Sequence, residues 1–309
     1  MEASRTLMED DRLNSPSTSA IILDVLGHRL QLAQDPNSKH LGTTVWDASV
    51  VLIKFLERNS RKGRFCPARL KGKRTIELGA GCGLAGFGMA LLGSDVVSTD
   101  QVEVLPLLMR NVERNTSYIT QASSDSASFG SIKVAELDWG NNDHIRAVDP
   151  PFDFIIGTDI VYVEHLLEPL LQTILALSGP RTTILLGYEI RSTTVHEKMM
   201  RMWKENFEVE SVPKVKMDIK YRHPSIQLFR MVPKAQPRHN MSVCIPCQVP
   251  ETGHGCSEDE EGSRVEENEG IGSSSNVELA QPEHGKADDW ETRRCGAMAA
   301  RLLRDVKIT

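Results

Sequence analysis

Long apolar runs are missing from this sequence of 309 residues, and aromatic residues make up only 5% of it. No stretch approaches the roughly 20 consecutive apolar residues that a membrane helix needs, so we expect no membrane partner. The first residues also lack the positive region and the apolar core of a signal peptide. We therefore expect a cytoplasmic protein, with the nucleus as a second location.

Cysteine is scarce, and an excess of basic charge is absent. Of the six cysteines only Cys66 and Cys82 lie in the first 233 residues, so we expect reduced thiols and no disulfide framework. Residues 1–233 carry 27 Lys and Arg against 28 Asp and Glu, and residues 234–309 carry 9 against 14. A nearly neutral folded part argues against binding to nucleic acid through a broad basic face.

The composition changes at Pro233, beyond which Pro, Gly, Ser and Glu dominate. A segment of this kind buries too little apolar surface to offset chain entropy. Apolar residues return at helical spacing near the end, with acidic residues before them and basic residues after them. The sequence predicts a flexible N-terminus (1–19), a folded domain (20–233), a disordered acidic linker (234–287) and an amphipathic helix (288–309).

Strand and helix patterns alternate before the break, which predicts an α/β fold. We expect a Rossmann-like, mostly parallel sheet of seven strands with helices on both faces, preceded by a β-hairpin. The predicted hairpin strands are 21–25 and 29–34, and the predicted sheet strands are 74–78, 95–99, 132–137, 152–157, 182–187, 207–212 and 225–232. The predicted helices are 48–56, 84–92, 104–112, 166–175 and one that starts at a capping box of Thr194 and Glu197. Ligands of such folds bind at the carboxyl ends of the strands.

The strongest local signal is a glycine-rich turn that leaves a buried strand and opens a helix, in the string ELGAGCGLAG from residue 77. Glycine permits unusual backbone angles and a close approach of a cofactor. Gly81, Gly83 and Gly86 have the spacing of a dinucleotide site. Gly79 with Gly81 and Gly83 has the tighter spacing of an S-adenosylmethionine (SAM) site. The charge of Glu77 favours SAM, because it would repel a pyrophosphate but not an ammonium group.

Asp100 ends the next strand, where a carboxylate can accept both ribose hydroxyls of either nucleotide. Three more motifs are Val45-Trp46-Asp47, Leu137-Asp138-Trp139-Gly140 and Asp159-Ile160-Val161-Tyr162. Together with the glycine turn they resemble the seven-β-strand SAM-dependent protein-lysine methyltransferases of family 16, a group that methylates molecular chaperones and related ATPases. The resemblance covers residues 20–233, with four separate motifs in the family's order.

This resemblance implies a SAM-dependent protein-lysine N-methyltransferase that acts on a non-histone cytosolic protein, such as a chaperone or related ATPase. It implies a monomer whose partner is a protein presenting a lysine. The residues that it implies for the cofactor pocket are Trp46, Gly79, Ala80, Gly81, Asp100 and Trp139, with Thr158 beside them. Thr158 departs from the family, in which close relatives often have alanine. Asp159 and Tyr162 mark the catalytic end.

The residue chemistry agrees with this interpretation. Trp139 can stack on adenine and Trp46 can shield the sulfonium end of the cofactor. Methyl transfer is an in-line displacement that requires a positioned, neutral amine. We expect Asp159 to hold and aim the amine or ammonium group. We expect Tyr162 to shape the pocket through a cation–π or hydrogen-bond contact.

Three alternatives remain at the level of sequence. They are a methyltransferase of the same fold for a small molecule or another protein atom, a non-catalytic binding module, and a nicotinamide-dependent dehydrogenase, for which a second half is missing. We predict no metal site, since no common zinc finger has the spacing of Cys244, Cys247, His254 and Cys256.

Overall fold

The computed structural model describes residues 18–122 and 129–234. Internal contacts divide the chain into two units, Met1–Ala235 and Gln236–Thr309, and the described residues all belong to the first. The predicted acidic linker, the predicted terminal helix and the four cysteine and histidine residues considered for zinc lie outside the described residues. So do residues 1–17 of the predicted flexible N-terminus.

In the part of the chain that the structure describes, seven strands form one sheet and two more form a hairpin. The strands are β1 (Ala20–Val25), β2 (His28–Ala33), β3 (Arg74–Leu78), β4 (Asp95–Asp100), β5 (Ser131–Glu136), β6 (Phe152–Thr158), β7 (Ser178–Glu189), β8 (Phe207–Ser211) and β9 (Ile226–Pro233). The sheet order is β5-β4-β3-β6-β7-β9-β8. The pairs from β5 to β7 are parallel, and β9 is antiparallel to both of its neighbours. The predicted seven-stranded, mostly parallel sheet is confirmed.

Helices cover both faces of this sheet. They are α1 (Asp47–Arg58), α2 (Pro67–Leu70), α3 (Leu84–Leu91), α4 (Leu105–Ala122), α5 (Asn142–Ala147), α6 (Leu167–Leu177) and α7 (Thr193–Asn206). Successive side chains of a strand point to opposite faces. Ile155 of β6 therefore packs in a core cluster with α6 and α7, whereas Phe154 and Ile156 pack in a second cluster with α1 and α3. Among the described residues no helix has the length and apolar character to cross a membrane.

The predicted hairpin is present, and helix α4 closes its outer edge. Leu26 and Gly27 form the two-residue turn, both with positive φ, as the favoured hairpin turns require. The side-chain amide of Asn111 exchanges two hydrogen bonds with the backbone of Ala33, and that of Asn115 does the same with Gln31. Asn111 and Asn115 are four residues apart on the helix, a rise of ~6 Å. Their partners in β2 are two residues apart, a distance of ~6.6 Å, so the spacing of the two amides matches that of the strand. We call this pairing the asparagine ladder.

The predicted start of α7 was wrong. Ser192 is the N-cap, and its hydroxyl accepts a hydrogen bond from the N–H of Val195. The predicted capping box of Thr194 and Glu197 therefore begins two residues too late. Two short helices, α2 and α5, were missed because each has too few residues to show helical periodicity.

Candidate active site

The site lies where the chain reverses its direction across the sheet. From β3 the chain proceeds outward through β4 and β5, then returns to the other side of β3 with β6. Clefts at such switch points, outside the carboxyl ends of the strands, are where open α/β sheets bind ligands. The glycine turn follows β3 directly, and Asp159 follows β6.

The glycine turn has no room for side chains at two of its positions. Gly79 and Gly81 have φ of +59° and +57°, in the left-handed region that favours glycine. A Cβ on Gly79 would lie 2.8 Å from Ile160 Cγ2 and 3.4 Å from Trp139 Cζ2, and one on Gly81 would lie 2.8 Å from the carbonyl oxygen of Gly42. The turn is therefore enclosed by the segments that follow β5 and β6 and by a 3₁₀ turn near the N-terminus.

Asp100 is fixed by two backbone donors. Its Oδ2 accepts a hydrogen bond of 2.7 Å from the N–H of Gly81, and its Oδ1 accepts one of 2.9 Å from the N–H of Gln101. Burial raises the pKa of Asp100 to about 6, and these hydrogen bonds act in the opposite direction. Each oxygen of a carboxylate can accept more than one hydrogen bond, so both remain available to a pair of hydroxyls.

Glu77 does not face this cleft. It is 1% exposed, and its Oε2 accepts a hydrogen bond of 2.6 Å from the hydroxyl of Ser98. A Cβ on Gly86 of α3 would collide with the same carboxylate. Burial raises the pKa of Glu77 to about 7. The sequence argument from its charge therefore fails, and the preference for SAM over a dinucleotide rests on the other motifs.

The remaining predicted pocket residues are Trp46, Ala80 and Thr158. Trp46 precedes α1, is half-buried, and donates an indole hydrogen bond of 2.9 Å to the carbonyl of Leu41. Ala80 belongs to the turn, where its N–H donates to the carbonyl of Thr99. Thr158 is the last residue of β6 and is half-buried.

Asp159 is a buried, strained residue that bridges the ends of β6 and β7. Its φ is +55°, and its side chain is 4% exposed. Its Oδ1 accepts a hydrogen bond of 3.0 Å from the N–H of Glu189 and lies 3.2 Å from Nη1 of Arg191. Burial raises the pKa of Asp159, whereas the guanidinium of Arg191 and the N–H groups of Glu189 and Ala48 lower it.

Tyr162 follows Asp159 by three residues. It is half-buried, and its pKa is raised first by burial and then by the charge of Asp100. The structure thus gathers the predicted residues into two groups. One consists of the glycine turn with Asp100 and Trp139, and the other consists of Asp159 with Trp46, joined through Arg191.

Sequence reasoning missed Gly42, Glu189 and Arg191. Arg191 forms an ion pair of 2.8 Å with Glu189 and lies over the ring of Trp46, 5.0 Å from its centroid. No local motif marks these three residues, because each acquires its neighbours only when distant segments meet. The proximity of Glu189 and Arg191 to the end of a strand is the one signal that was available.

One group of potential metal ligands occurs among the described residues, formed by Glu136, Asp138 and His144. Nδ1 of His144 accepts a hydrogen bond of 3.2 Å from the N–H of Asp138. That nitrogen is therefore already in use, and the two carboxylates are about 40% exposed. We assign no metal to this group.

The donor set fits SAM. Gly79 and Gly81 adopt the left-handed backbone angles of the tight turn that such a cofactor site requires. Asp100 offers two fixed carboxylate oxygens for ribose hydroxyls. Trp139, beside the turn, offers an aromatic face for a purine.

Comparisons with known proteins identify the family of this chain. Residues 26–206 match a family model described as lysine methyltransferase. The chain is 38% identical over 185 residues to the protein N-lysine methyltransferase METTL21A of Danio rerio, covering 60% of this chain and 77% of that relative. It is 32% identical over 186 residues to the EEF1A lysine methyltransferase 3 of Mus musculus, covering 60% and 72%.

Solved structures are more distant. The 16S rRNA N2 G1207 methyltransferase RsmC of T. thermophilus, solved with AdoMet and guanosine, has a TM-score of 0.48 at 16% identity. The match covers 72% of this chain and 52% of that one. SMU.776, a methyltransferase solved with SAH, has a TM-score of 0.46 at 10% identity and covers 72% and 58%.

Proposed function

Because this chain belongs to the lysine methyltransferase family, we propose that it methylates a lysine of a non-histone cytosolic protein such as a chaperone or related ATPase. Its activity is that of a SAM-dependent protein-lysine N-methyltransferase, and its substrate is a protein. The finer choice of substrate is supported by the four sequence motifs that it shares with the chaperone and ATPase group. The relative named for EEF1A makes that protein the next substrate to test.

One observation carries the assignment, namely the meeting of the glycine turn and the β6 end at the switch point. The Gly81 N–H holds Asp100 at 2.7 Å on one side. Ile160, the residue after Asp159, lies on the other side, where its Cγ2 would be 2.8 Å from a Cβ on Gly79. The cofactor pocket and the residues proposed for amine binding are therefore adjacent across two neighbouring strands.

The chemistry of the step defines what these residues must do. When bound, SAM supplies a methyl group on a positively charged sulfur. The lysine ammonium first releases one proton to solvent. The lone pair of the neutral Nζ then forms a bond to that methyl as the carbon–sulfur bond breaks, which leaves a methylated ammonium and a neutral thioether. Deprotonating a lysine at pH 7 costs about 4 to 5 kcal/mol from its ordinary pKa. Desolvation beside the half-buried Tyr162 lowers this cost.

Asp159 and Tyr162 have complementary roles in this proposal. Asp159 attracts the lysine as an ammonium and aims it, although its negative charge alone would raise the lysine pKa. Tyr162 contacts the nitrogen through its ring or its hydroxyl. Positioning of this kind accelerates reactions by holding the nucleophile in line with the methyl carbon.

The experiment is to incubate the full-length protein with radiolabelled SAM and a soluble cell extract, and to identify the labelled bands and the modified residue by mass spectrometry. We expect label on a lysine of a chaperone or related ATPase. Asp100→Asn should abolish the label, whereas Asp95→Asn should not, because Asp95 lies at the opposite end of the same strand. Label on nucleic acid or on a small molecule, with none on protein, would contradict the proposal.

The proposal includes a cytoplasmic monomer that does not bind nucleic acid. Its support is the balance of 27 basic and 28 acidic residues in residues 1–233. Analytical ultracentrifugation of the full chain should give one species near 34.4 kDa. A concentration-dependent dimer would contradict the proposed monomer. Fractionation of cells into cytoplasm and nucleus would test the proposed location.

A further inference from the structure

Arg191 is held by three groups that would suit a different cation equally well. Its guanidinium lies 3.2 Å from Asp159 Oδ1, 2.8 Å from Glu189 Oε2 and 5.0 Å from the centroid of the Trp46 ring. Two carboxylates and an aromatic face are a general binding site for an organic cation. We call this arrangement the Asp159–Glu189–Trp46 site.

The site is incompletely satisfied by Arg191. The Oδ2 atom of Asp159 is buried, and no described donor meets hydrogen-bond geometry to it, although the N–H of Ala48 lies close enough to the carboxyl to lower its pKa. A buried, unpaired carboxylate oxygen is costly. Asp159 also keeps a positive φ, a strain that persists where the surrounding structure enforces it and that clusters at functional positions. Both features indicate a ligand that would make one more hydrogen bond than Arg191 does.

A lysine side chain has the chemistry that is missing. An ammonium group carries three rotatable donors, enough for the two oxygens of Asp159 and one of Glu189. A guanidinium instead presents a rigid planar fork. We infer that the Asp159–Glu189–Trp46 site is where the substrate lysine first binds as an ammonium, and that Arg191 occupies this site until the lysine displaces it. This inference rests on the proposed function.

The position of Arg191 makes displacement inexpensive. Its side chain is 27% exposed, so its guanidinium regains water when it leaves. Until then it compensates the charge of Asp159, which would otherwise be left buried and unpaired. Arg191 therefore keeps the site ordered and the carboxylate of Asp159 ionised in the absence of substrate. Its presence also weakens the binding of the substrate lysine, which must displace it.

The test uses n-butylammonium as a lysine side-chain probe, titrated into the full-length protein with saturating SAM at pH 8 and followed by the indole N–H NMR signal of Trp46. Because Arg191 competes for the site, the apparent affinity for the probe is the intrinsic affinity multiplied by the fraction of time that the site is free. If Arg191 fills the site nine-tenths of the time, Arg191→Gln should bind the probe about tenfold more tightly than wild type. The double variant Glu189→Gln/Arg191→Gln should lose the tighter probe binding of the single variant Arg191→Gln. The neutral probe n-butanol should bind none of the variants.

Arg230→Gln is the matched control, because Arg230 also forms an ion pair with a carboxylate, that of Glu210, and is 30% exposed. It should leave probe binding unchanged. Equal probe affinity in wild type and Arg191→Gln would overturn the inference and make Arg191 a fixed structural clamp. If Arg191→Gln is unstable, Arg191→Lys provides the second test, since it supplies the competing ammonium itself and should weaken the probe further. Absence of methyl transfer to any protein would instead refute the proposed function and leave the probe result unaffected.

Discussion

Replacing Gly81 by alanine tests how the glycine turn builds the cofactor pocket. Gly81 has φ of +57°, and an added Cβ would lie 2.8 Å from the backbone oxygen of Gly42. Gly72 provides the control, because its φ is +69° and an added Cβ there would meet nothing within 4 Å. The two substitutions impose a similar conformational cost, and only one of them adds a collision.

The expected magnitudes follow from these contacts. A left-handed conformation costs an alanine about 1 to 2 kcal/mol, which lowers the Tm of a domain of this size by about 2 to 8 °C. In Gly81→Ala the Gly42 oxygen must also withdraw from 2.8 Å to the 3.4 Å of an ordinary contact. That movement disturbs the N–H that holds Asp100 at 2.7 Å. Losing one hydrogen bond to the carboxylate costs about 1.5 to 3 kcal/mol, or roughly a tenfold to hundredfold weakening of SAM binding.

The assay is calorimetric titration of SAM into the full-length variants, together with their melting temperatures. Gly72→Ala should lose stability and keep its SAM affinity within a factor of about two, since its strained position lies away from the pocket. Gly81→Ala should lose both thermal stability and SAM affinity. Equal SAM affinity in the two variants would refute the account of the pocket, because the collision with Gly42 would then have no effect on Asp100.

Three further predictions concern buried charge and the aromatic residues. Because the pKa of Glu77 is raised from 4.5 to about 7, its contribution to stability is present below pH 4.5 and is lost as the pH rises through 7. The free energy of unfolding should therefore fall by about 1 to 3 kcal/mol between pH 5 and pH 8 in wild type and by less in Glu77→Gln, as urea titrations at each pH will measure. Trp139→Ala should weaken SAM binding by about 1 kcal/mol or more through loss of an aromatic face, while Trp203→Phe, in the core, should lower Tm and leave SAM binding unchanged. In single-turnover methylation at saturating SAM, Asp159→Ala should lower the rate roughly a hundredfold, and Tyr162→Ala should cost more than Tyr162→Phe if the ring contact dominates.

Local patterns predicted the parts of the fold that depend on local chemistry. The hairpin was predictable because Gly27 permits the positive φ of its turn. The glycine turn and Asp100 were predictable because strand, turn and helix follow one another along the chain. The roles of Asp159 and Tyr162 stay predictions.

The missed features depend on contacts between distant segments. Gly42 meets Gly81 across 39 positions of sequence, and no motif joins them. Glu77 stands between Ile76 and Leu78 in a strand that is buried on both faces. Its sequence position therefore could not show that its carboxylate turns toward Ser98 and α3 rather than toward the cofactor. The ion pairs of Arg191 likewise depend on the register of β7 against β6.

The asparagine ladder has a consequence for the behaviour of the protein in a crowded solution. An unpaired strand edge is a template onto which another chain can add a strand, the first step of domain swapping and of aggregation. In β2 the free backbone groups of Gln31 and Ala33 are already taken by two side-chain amides. Asn111 also donates to the carbonyl of Cys82 in the glycine turn. A pair of asparagines on one helix thus occupies the edge of β2 that another chain could otherwise extend and, through the amide of Asn111, supports the glycine turn.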